Sequence, residues 1–383
     1  MNRRPGWWIG GLLAALIIGW IGYRLLQPSP QPSRDVAVSS ALGGDDHAGY
    51  QRAYAPRPFQ FPADHGPHPE FRNEWWYVTG NLADTTGRRF GYQLTLFRIA
   101  LSPTMAAADS PWRANQIYMG HFALTDVAGN RHYHFERFSR GALGLAGAQA
   151  TPFHVWLEDW ALTGAEADLL PLRIHAHEGD IALDLTLTAG KPAVLQGDQG
   201  LSQKSAEPGN ASYYYSHTRM PTQGTVGVAG RNFTVRGTSW LDREWSTSAL
   251  GPDQGGWDWF ALQLDDGRDL MFYRLRRKDG GTDSFSAGTL VEADGQTRRL
   301  RWNEVELQPL GEWVSPHTRD RYPAGWRLRL PAEKLDLTIT PQVADQEMRL
   351  TVRYWEGAVA VSGQAGARTV SGQGYLEMTR YPR

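Results

Sequence analysis

Cysteine is absent from all 383 residues. That single absence excludes a disulfide framework, a thiol nucleophile, cysteine-ligated zinc and a lipidated N-terminal cysteine. An excess of charge of one sign is missing as well: 39 Lys plus Arg stand against 40 Asp plus Glu, for a formal net charge of −1. A nucleic-acid partner calls for a basic stripe that releases phosphate counterions, so none is expected. The chain has no glycine-rich phosphate loop and no Gly-x-Ser-x-Gly elbow, which leaves nucleotide cofactors and a serine triad without support. Sustained helical periodicity is also lacking beyond the N-terminus.

Aromatic residues are plentiful, with 16 Trp, 15 Tyr and 13 Phe beside 42 Gly and 23 Pro. Rings and turn formers together suggest short strands, tight connections and ring-lined interiors. Hydrophobic residues at 41% and charged residues at 21% are enough for packed cores, and the length suits two or three domains.

Arg3 and Arg4 precede an uncharged run from Trp7 to Tyr23, which Arg24 and then Pro28, Pro30 and Pro32 end. As a helix this run reaches about 25 Å, close to the thickness of a bilayer core. The basic start holds the N-terminus in the cytoplasm and sends the remainder across. We expect an uncleaved inner-membrane anchor with the folded part in the periplasm. A cleaved signal peptide and secretion is the alternative, with a small-x-small site near Ser39 and Ala41. From Pro28 to about Arg57 the chain is rich in Pro, Ser, Gly and Ala and reads as a tether.

The remainder reads as strands. Ile181, Leu183, Leu185 and Leu187 alternate with polar or small residues, as do Phe90, Tyr92, Leu94 and Leu96, and Trp326, Leu328 and Leu330. One short helix is expected between Pro103 and Gln116. Four segment pairs also recur in one order: WWYVTGNLAD at Trp75 with WDWFALQLDD at Trp257, ALTDVAGNRH at Ala123 with TLVEADGQTR at Thr289, LDLTLT at Leu183 with LDLTIT at Leu335, and VRGTSWLD at Val235 with VSGQGYLE at Val370. Their spacing shrinks along the chain, as a duplication whose second copy has shorter loops requires. One large sandwich with similar hairpin turns is the alternative. The expected fold is all-β, two tandem antiparallel barrels behind an N-terminal transmembrane helix, with aromatics lining or plugging each lumen. The expected boundaries are residues 1–27 for the anchor or signal, 28–57 for the linker, 58–245 for the first barrel and 246–383 for the second.

The best chemical segment is Trp240-Leu241-Asp242-Arg243-Glu244-Trp245. On a strand Trp240, Asp242 and Glu244 share one face. Two carboxyls beside an indole favour one staying protonated near neutral pH, and a neutral acid among rings suits protonation of an isolated C=C bond. Rings would then stabilise the cation until water attacks. Tyr213 and Tyr215, two apart, would add rings and hydroxyls from a neighbouring strand. The competing structural reading makes Asp242, Arg243 and Glu244 ion pairs that lock the domain junction. Trp245, Trp257, Trp259, Trp75, Trp76 and His217 are further candidates for contacting a ligand. Glu74 would sit opposite Asp242, although a strand-end carboxylate satisfied by Arg72 or Arg98 is the plainer reading. His132 with His134 and His175 with His177 each share a face, but no third ligand or open position is visible, so no metal is expected. No cofactor is expected either.

NEWWYVTGNL at Asn73, YYYSHTRM at Tyr213, GTSWLDREWSTSAL at Gly237 and GWDWFALQL at Gly256 resemble the AttH/CrtC family of two-domain, lipocalin-like proteins, from about Phe59 to the C-terminus. The resemblance implies two lipocalin-like barrels with polar and aromatic residues gathered near their junction. One branch comprises carotenoid 1,2-hydratases. Another comprises exported proteins labelled secreted hydrolases, found alongside LolC/MacB-like ABC transporters. The hydratase branch carries His-x-Trp where this chain has Tyr213-x-Tyr215, and Tyr-x-Asp where it has Trp240-x-Asp242. The acid is kept and the His is not, which places this chain nearer the transporter-linked branch. Three functions are therefore expected, in this order: a membrane-tethered carrier of a lipid or isoprenoid acting with an ABC-type exporter, a hydratase-like lyase using Asp242, and a non-catalytic adaptor for a transporter subunit.

Overall fold

The computed structural model describes residues 47–104, 110–165, 168–248 and 250–381. The expected anchor and most of the tether lie outside the described residues, and among those described no helix is long and apolar enough to cross a membrane. All described residues fall within one compact unit, Val36–Arg383.

The chain is all-β. Its described helices are the single 3-10 turns Ala63–His65, Trp302–Glu304 and Pro331–Glu333. The short helix expected between Pro103 and Gln116 lies largely outside the described residues, since 105–109 are not described; the described residues on either side are turn and coil.

The strands form a 13-stranded sheet, a 10-stranded sheet and a two-stranded hairpin, Glu312–Val314 with Arg321–Pro323. The first sheet curls into a nearly closed barrel and the second into a half-barrel. Two closed barrels were expected, so this is a correction. The first sheet continues past Leu172–Glu178 through Trp160–Gly164, His154–Leu157 and Ala146–Gln149, whereas the second stops at Glu306–Pro309. The shorter second copy lacks the strands that would carry its sheet round.

The four repeated segments occupy equivalent places in both sheets. Asn73–Asp84 lies between Arg89–Ala100 and Arg231–Ser246, and Gln254–Leu264 lies between Asp269–Arg277 and Arg368–Thr379. Ile181–Leu187 and Leu335–Pro341 likewise each pair with the penultimate long strand of their sheet, Ala211–Val228 and Arg353–Ala365.

Burial separates two kinds of strand. Ile181–Leu187 and Trp326–Leu330 keep the alternating pattern, one face in a core and one towards water. In Arg89–Ala100, Gln254–Leu264 and the second half of Arg231–Ser246 the buried run is nearly continuous, because one face packs into its own barrel and the other against the opposite sheet. The barrel interiors are filled mainly by Leu, Val and Ile around rings such as Trp160 and Trp326. A third cluster, drawn from both sheets and dominated by Tyr77, Tyr214, Trp240, Trp259, Tyr273 and Tyr375, occupies the junction. The ring-lined space thus lies between the sheets, near the junction where the resemblance gathers polar and aromatic residues, while rings such as Trp160 and Trp326 plug the interiors.

Candidate functional site

In the strand Arg231–Ser246 period-two geometry aims Trp240, Asp242 and Glu244 at the second sheet, while Leu241 and Trp245 join the core of the first barrel. Antiparallel pairing then decides which neighbours share each face. Tyr214 lies opposite Glu244 and Ser216 opposite Asp242, while Tyr213 lies opposite Trp245 and Tyr215 opposite Arg243. Directly opposed residues point the same way, so Tyr214 and Ser216 reach the junction. Tyr213 and Tyr215, the expected catalytic tyrosines, belong to the barrel core instead.

The junction holds a cleft of about 1050 Å³, open mouth included. Its walls combine Trp75, Tyr77, Phe97, Trp257, Trp259 and Tyr273 with four carboxyls, Asp242, Glu244, Glu356 and Glu377. Asp242 is 3% exposed. Its Oδ1 accepts hydrogen bonds from the Ser216 hydroxyl at 2.5 Å and the Trp240 indole at 2.7 Å, and its Oδ2 accepts one from the Tyr214 hydroxyl. Burial pushes the carboxyl up to about 7, against these three donors, and the nearby Glu244 charge adds to the rise. A Trp259 indole donor at 3.2 Å in turn holds the Tyr214 oxygen. Glu244 is different in kind. Lys204 stands 3.0 Å from it and the Ser212 hydroxyl donates to it, so it is a paired anion.

The second sheet supplies two further acids. Glu377 accepts a hydrogen bond from the Trp257 indole at 2.7 Å, and burial raises it to about 7 despite that donor. Glu356 is 1% exposed, and neither of its oxygens completes a hydrogen bond. Burial, then the charge of Glu377, holds it well above the usual carboxylate range. Near neutral pH the cleft is therefore an apolar, ring-walled space in which Glu356 keeps its proton while Asp242 and Glu377, each raised to about 7, exchange theirs between the acid and carboxylate forms.

The remaining candidates from the sequence face the other way. Glu74 is fully buried and bound to both Arg98 and Arg243, with His68 alongside. Burial alone would raise Glu74, but the two guanidinium groups outweigh it and leave it far below the ordinary value. The plainer structural reading of Glu74 therefore describes it, with Arg98 as expected and Arg243 in the place given to Arg72. Arg243 stacks on Trp76 at 4.0 Å and His68 on Trp245 at 3.8 Å, which makes these rings part of the same barrel-side cluster. His217 also lies on that side, 6.2 Å from His65, and burial depresses it to about 4. Glu74, Trp76, Trp245, Tyr213, Tyr215 and His217 are thus not brought to the cleft. Trp240 supports Asp242 from behind, and Trp75, Trp257 and Trp259 line the cleft directly.

Among the described residues no group of three or more His, Cys, Asp or Glu is arranged to hold a metal ion. His132 and His134 stack at 5.6 Å, and His175 and His177 lie on an exposed face. Sequence reasoning missed Lys204, Tyr214, Tyr354, Glu356 and Glu377, which line the cleft beside Tyr77 and His121. For Glu377 a signal was present: the repeat pairing Val235 with Val370 sets Trp240-Leu241-Asp242 against Tyr375-Leu376-Glu377.

The AttH-like family model matches residues 52–381. An AttH-type protein from Nitrosomonas europaea, known from its crystal structure, is 35% identical, with a TM-score of 0.75 over 85% of this chain and 99% of that one. Kievitone hydratase from Nectria haematococca shares the fold at 16% identity, with a TM-score of 0.66 over 87% of this chain and 96% of that one. CghA does so at 13% identity, with a TM-score of 0.51 over 88% and 96%. No curated protein matches. A family model spanning nearly all of the described residues, together with the Nitrosomonas structure, shows that this chain belongs to the AttH-like family.

Proposed function

We propose that the junction cleft takes up a largely apolar molecule of lipid or isoprenoid type and adds water across one of its C=C bonds, with Asp242 as the acid. One observation carries the reading. A buried carboxyl, protonated near neutral pH, is fixed by three donors at the wall of a ring-lined cleft. General acid catalysis is most effective when the donor's pKa lies near the working pH. Trp259 and Tyr77, with ring centroids 5.1 Å apart, present the kind of faces that stabilise a developing cation. The name of the Nectria relative, a hydratase, supports the same reaction class, although at 16% identity the likeness reaches the fold alone.

In this reading the sequence upstream of the described residues tethers the protein to the inner membrane, with the folded part in the periplasm. The barrel and half-barrel are read as lipocalin-like units, and an ABC-type exporter of the LolC/MacB-like kind is the proposed partner. Burying about 300 Å² of tail contributes roughly 7 kcal/mol before association costs of at least about 4 kcal/mol. Binding is then weak and exchangeable, as both turnover and carriage require.

The test is incubation of the protein with farnesol, an acyclic isoprenoid, in ¹⁸O-labelled water, with mass spectrometry of the products. The expected result is a labelled alcohol whose formation falls by about 10² or more in Asp242→Asn. Farnesol that binds equally to wild type and variant without chemical change would overturn the catalytic reading and leave carriage, which the apolar cleft also supports.

A further inference from the structure

The duplication places a second acid across the cleft from Asp242. Asp242 sits opposite Tyr77, which it meets from the neighbouring strand, and Glu377 sits opposite Trp259 in the same way. Glu377 is itself paired in register with Glu356. Asp242 has three donors; Glu356 has none that complete a bond, although the Tyr77 and Tyr354 hydroxyls lie beside it. The Tyr77 hydroxyl is also buried, with the Glu356 carboxyl as its polar neighbour. A carboxyl this buried and this weakly satisfied is costly, and such groups call for a functional explanation.

Behind Glu356 a line of groups leads outwards. The Tyr354 hydroxyl meets His121 Nδ1 at 2.6 Å, and His121 Nε2 meets Glu136 Oε1 at 3.1 Å. His121 is 1% exposed, whereas the Glu136 side chain is 14% exposed. If Nδ1 accepts from Tyr354 and Nε2–H donates to Glu136, every donor points from cleft to surface and the Tyr354 oxygen is free to accept from Glu356. The charged or titratable groups facing this line are Glu377, Tyr77 and Tyr375 around Glu356, and His134 near His121.

We infer that Glu356 and Glu377 are the second proton-handling station of the cleft, taking the proton of the attacking water, and that Tyr354, His121 and Glu136 pass it to the surface. This role in turnover rests on the hydration reading above; the relay itself does not need substrate. The protons balance. The Asp242 O–H bond breaks and a C–H bond forms, leaving a carbocation and the Asp242 carboxylate. Water forms the C–O bond, and its surplus proton goes to the Glu377 carboxylate, which shares it with Glu356. Glu356 then gives a proton to the Tyr354 oxygen as the Tyr354 proton moves to His121 Nδ1, the Nε2 proton moves to Glu136, and Glu136 releases one to solvent. Asp242 regains a proton from water once product has left. An apolar ligand filling the cleft mouth makes such a back route necessary.

The test uses the described protein without ligand, mixed rapidly into D₂O and followed by infrared spectroscopy of its protonated carboxyl bands. A band lost in Glu356→Gln is expected in wild type near neutral pH. Its shift on deuteration should slow at least about tenfold in His121→Gln and in Tyr354→Phe, which removes one oxygen only, and should be unchanged in Asp242→Asn. Near-ultraviolet circular dichroism checks that each variant keeps its packing. A band that exchanges as fast in Tyr354→Phe as in wild type would overturn the relay, because protons then reach Glu356 through the cleft. Absence of the band in wild type would overturn it too. Failure of farnesol hydration with a slowed exchange would instead remove the hydration reading and leave the relay standing.

Discussion

At the residue scale the contrast between Asp242 and Glu244 shows how environment assigns roles to two carboxyls on one strand face. Lys204 neutralises Glu244, whereas Asp242 receives only neutral donors and so keeps its proton. This has a consequence for stability. A carboxyl raised to about 7 from an unfolded value near 4 binds more protons folded than unfolded, so its contribution is full below about pH 4 and is lost as pH climbs through 7. His65, His134 and His217, each depressed to about 4, act oppositely, because their contribution is lost as pH falls from about 6.5 through 4. The wild-type profile mixes both slopes, so the useful quantity is a difference. Asp242→Asn should gain thermal stability relative to wild type on going from pH 5 to pH 8. Melting temperatures at the two values check this, and a constant difference would mean that Asp242 is ionised throughout. Lys204→Met should remove the partner of Glu244 and a cation that also faces Asp242, and so move the alkaline limb of a pH–rate profile, which the acid Asp242 sets, to higher pH.

At the scale of strands, pairing across the sheet assigned the faces that single-strand alternation left open. Alternation within Trp240 to Trp245 was legible in the sequence and correctly grouped Trp240, Asp242 and Glu244. It said nothing of which face of the neighbouring strand would join them. That required the register setting Tyr214 opposite Glu244, so Tyr213 and Tyr215 were chosen where Tyr214 was needed. Lys204 lies just past the short strand Leu201–Gln203, where no period marks it. Nothing in the sequence marks Tyr354 as the partner of His121, since only tertiary packing brings the two together. The barrel-side cluster of Glu74, Arg98 and Arg243 locks the strands Asn73–Asp84, Arg89–Ala100 and Arg231–Ser246 together. Removing the charge from Glu74 leaves two buried guanidinium groups without their anion, a change that typically costs about 3–5 kcal/mol. Glu74→Gln should therefore lower the unfolding midpoint in urea sharply while leaving ligand affinity per folded molecule unchanged. Affinity lost at full folding would show that the cluster reaches the cleft.

At the scale of the molecule the site exists only because two sheets meet, so whatever holds them together also holds the site. The all-β class and the internal duplication were legible as alternation and repeats; the unequal closure of the two sheets was not, because it depends on how many strands each copy adds after its shared core. The junction is fastened by polar contacts around the ring cluster. Asp269, wholly buried at the start of Asp269–Arg277 in the second sheet, lies 2.9 Å from Lys191 and 2.5 Å from Arg219 and accepts a hydrogen bond from Thr218 at 2.8 Å. Thr218 and Arg219 stand on Ala211–Val228 of the first sheet, and Lys191 follows Ile181–Leu187 of the same sheet. Elsewhere along the junction, a Cβ on Gly91 of the first sheet would lie 2.4 Å from the Ala358 Cβ of the second, so the backbones approach too closely there for any side chain. Asp269→Asn removes the anion but keeps the shape. Lys191 retains the carbonyls of Gly267 and Glu292, and Arg219 retains those of Leu264 and Arg268, which places the loss near the low end for a broken buried pair, about 3 kcal/mol. If the junction couples the halves, wild type unfolds in one calorimetric transition and Asp269→Asn lowers it, with the two sheets beginning to melt separately. The same variant should weaken farnesol binding although Asp269 does not line the cleft. Two resolved transitions already present in wild type would show that the sheets fold independently, and that the cleft is assembled by docking rather than built by folding.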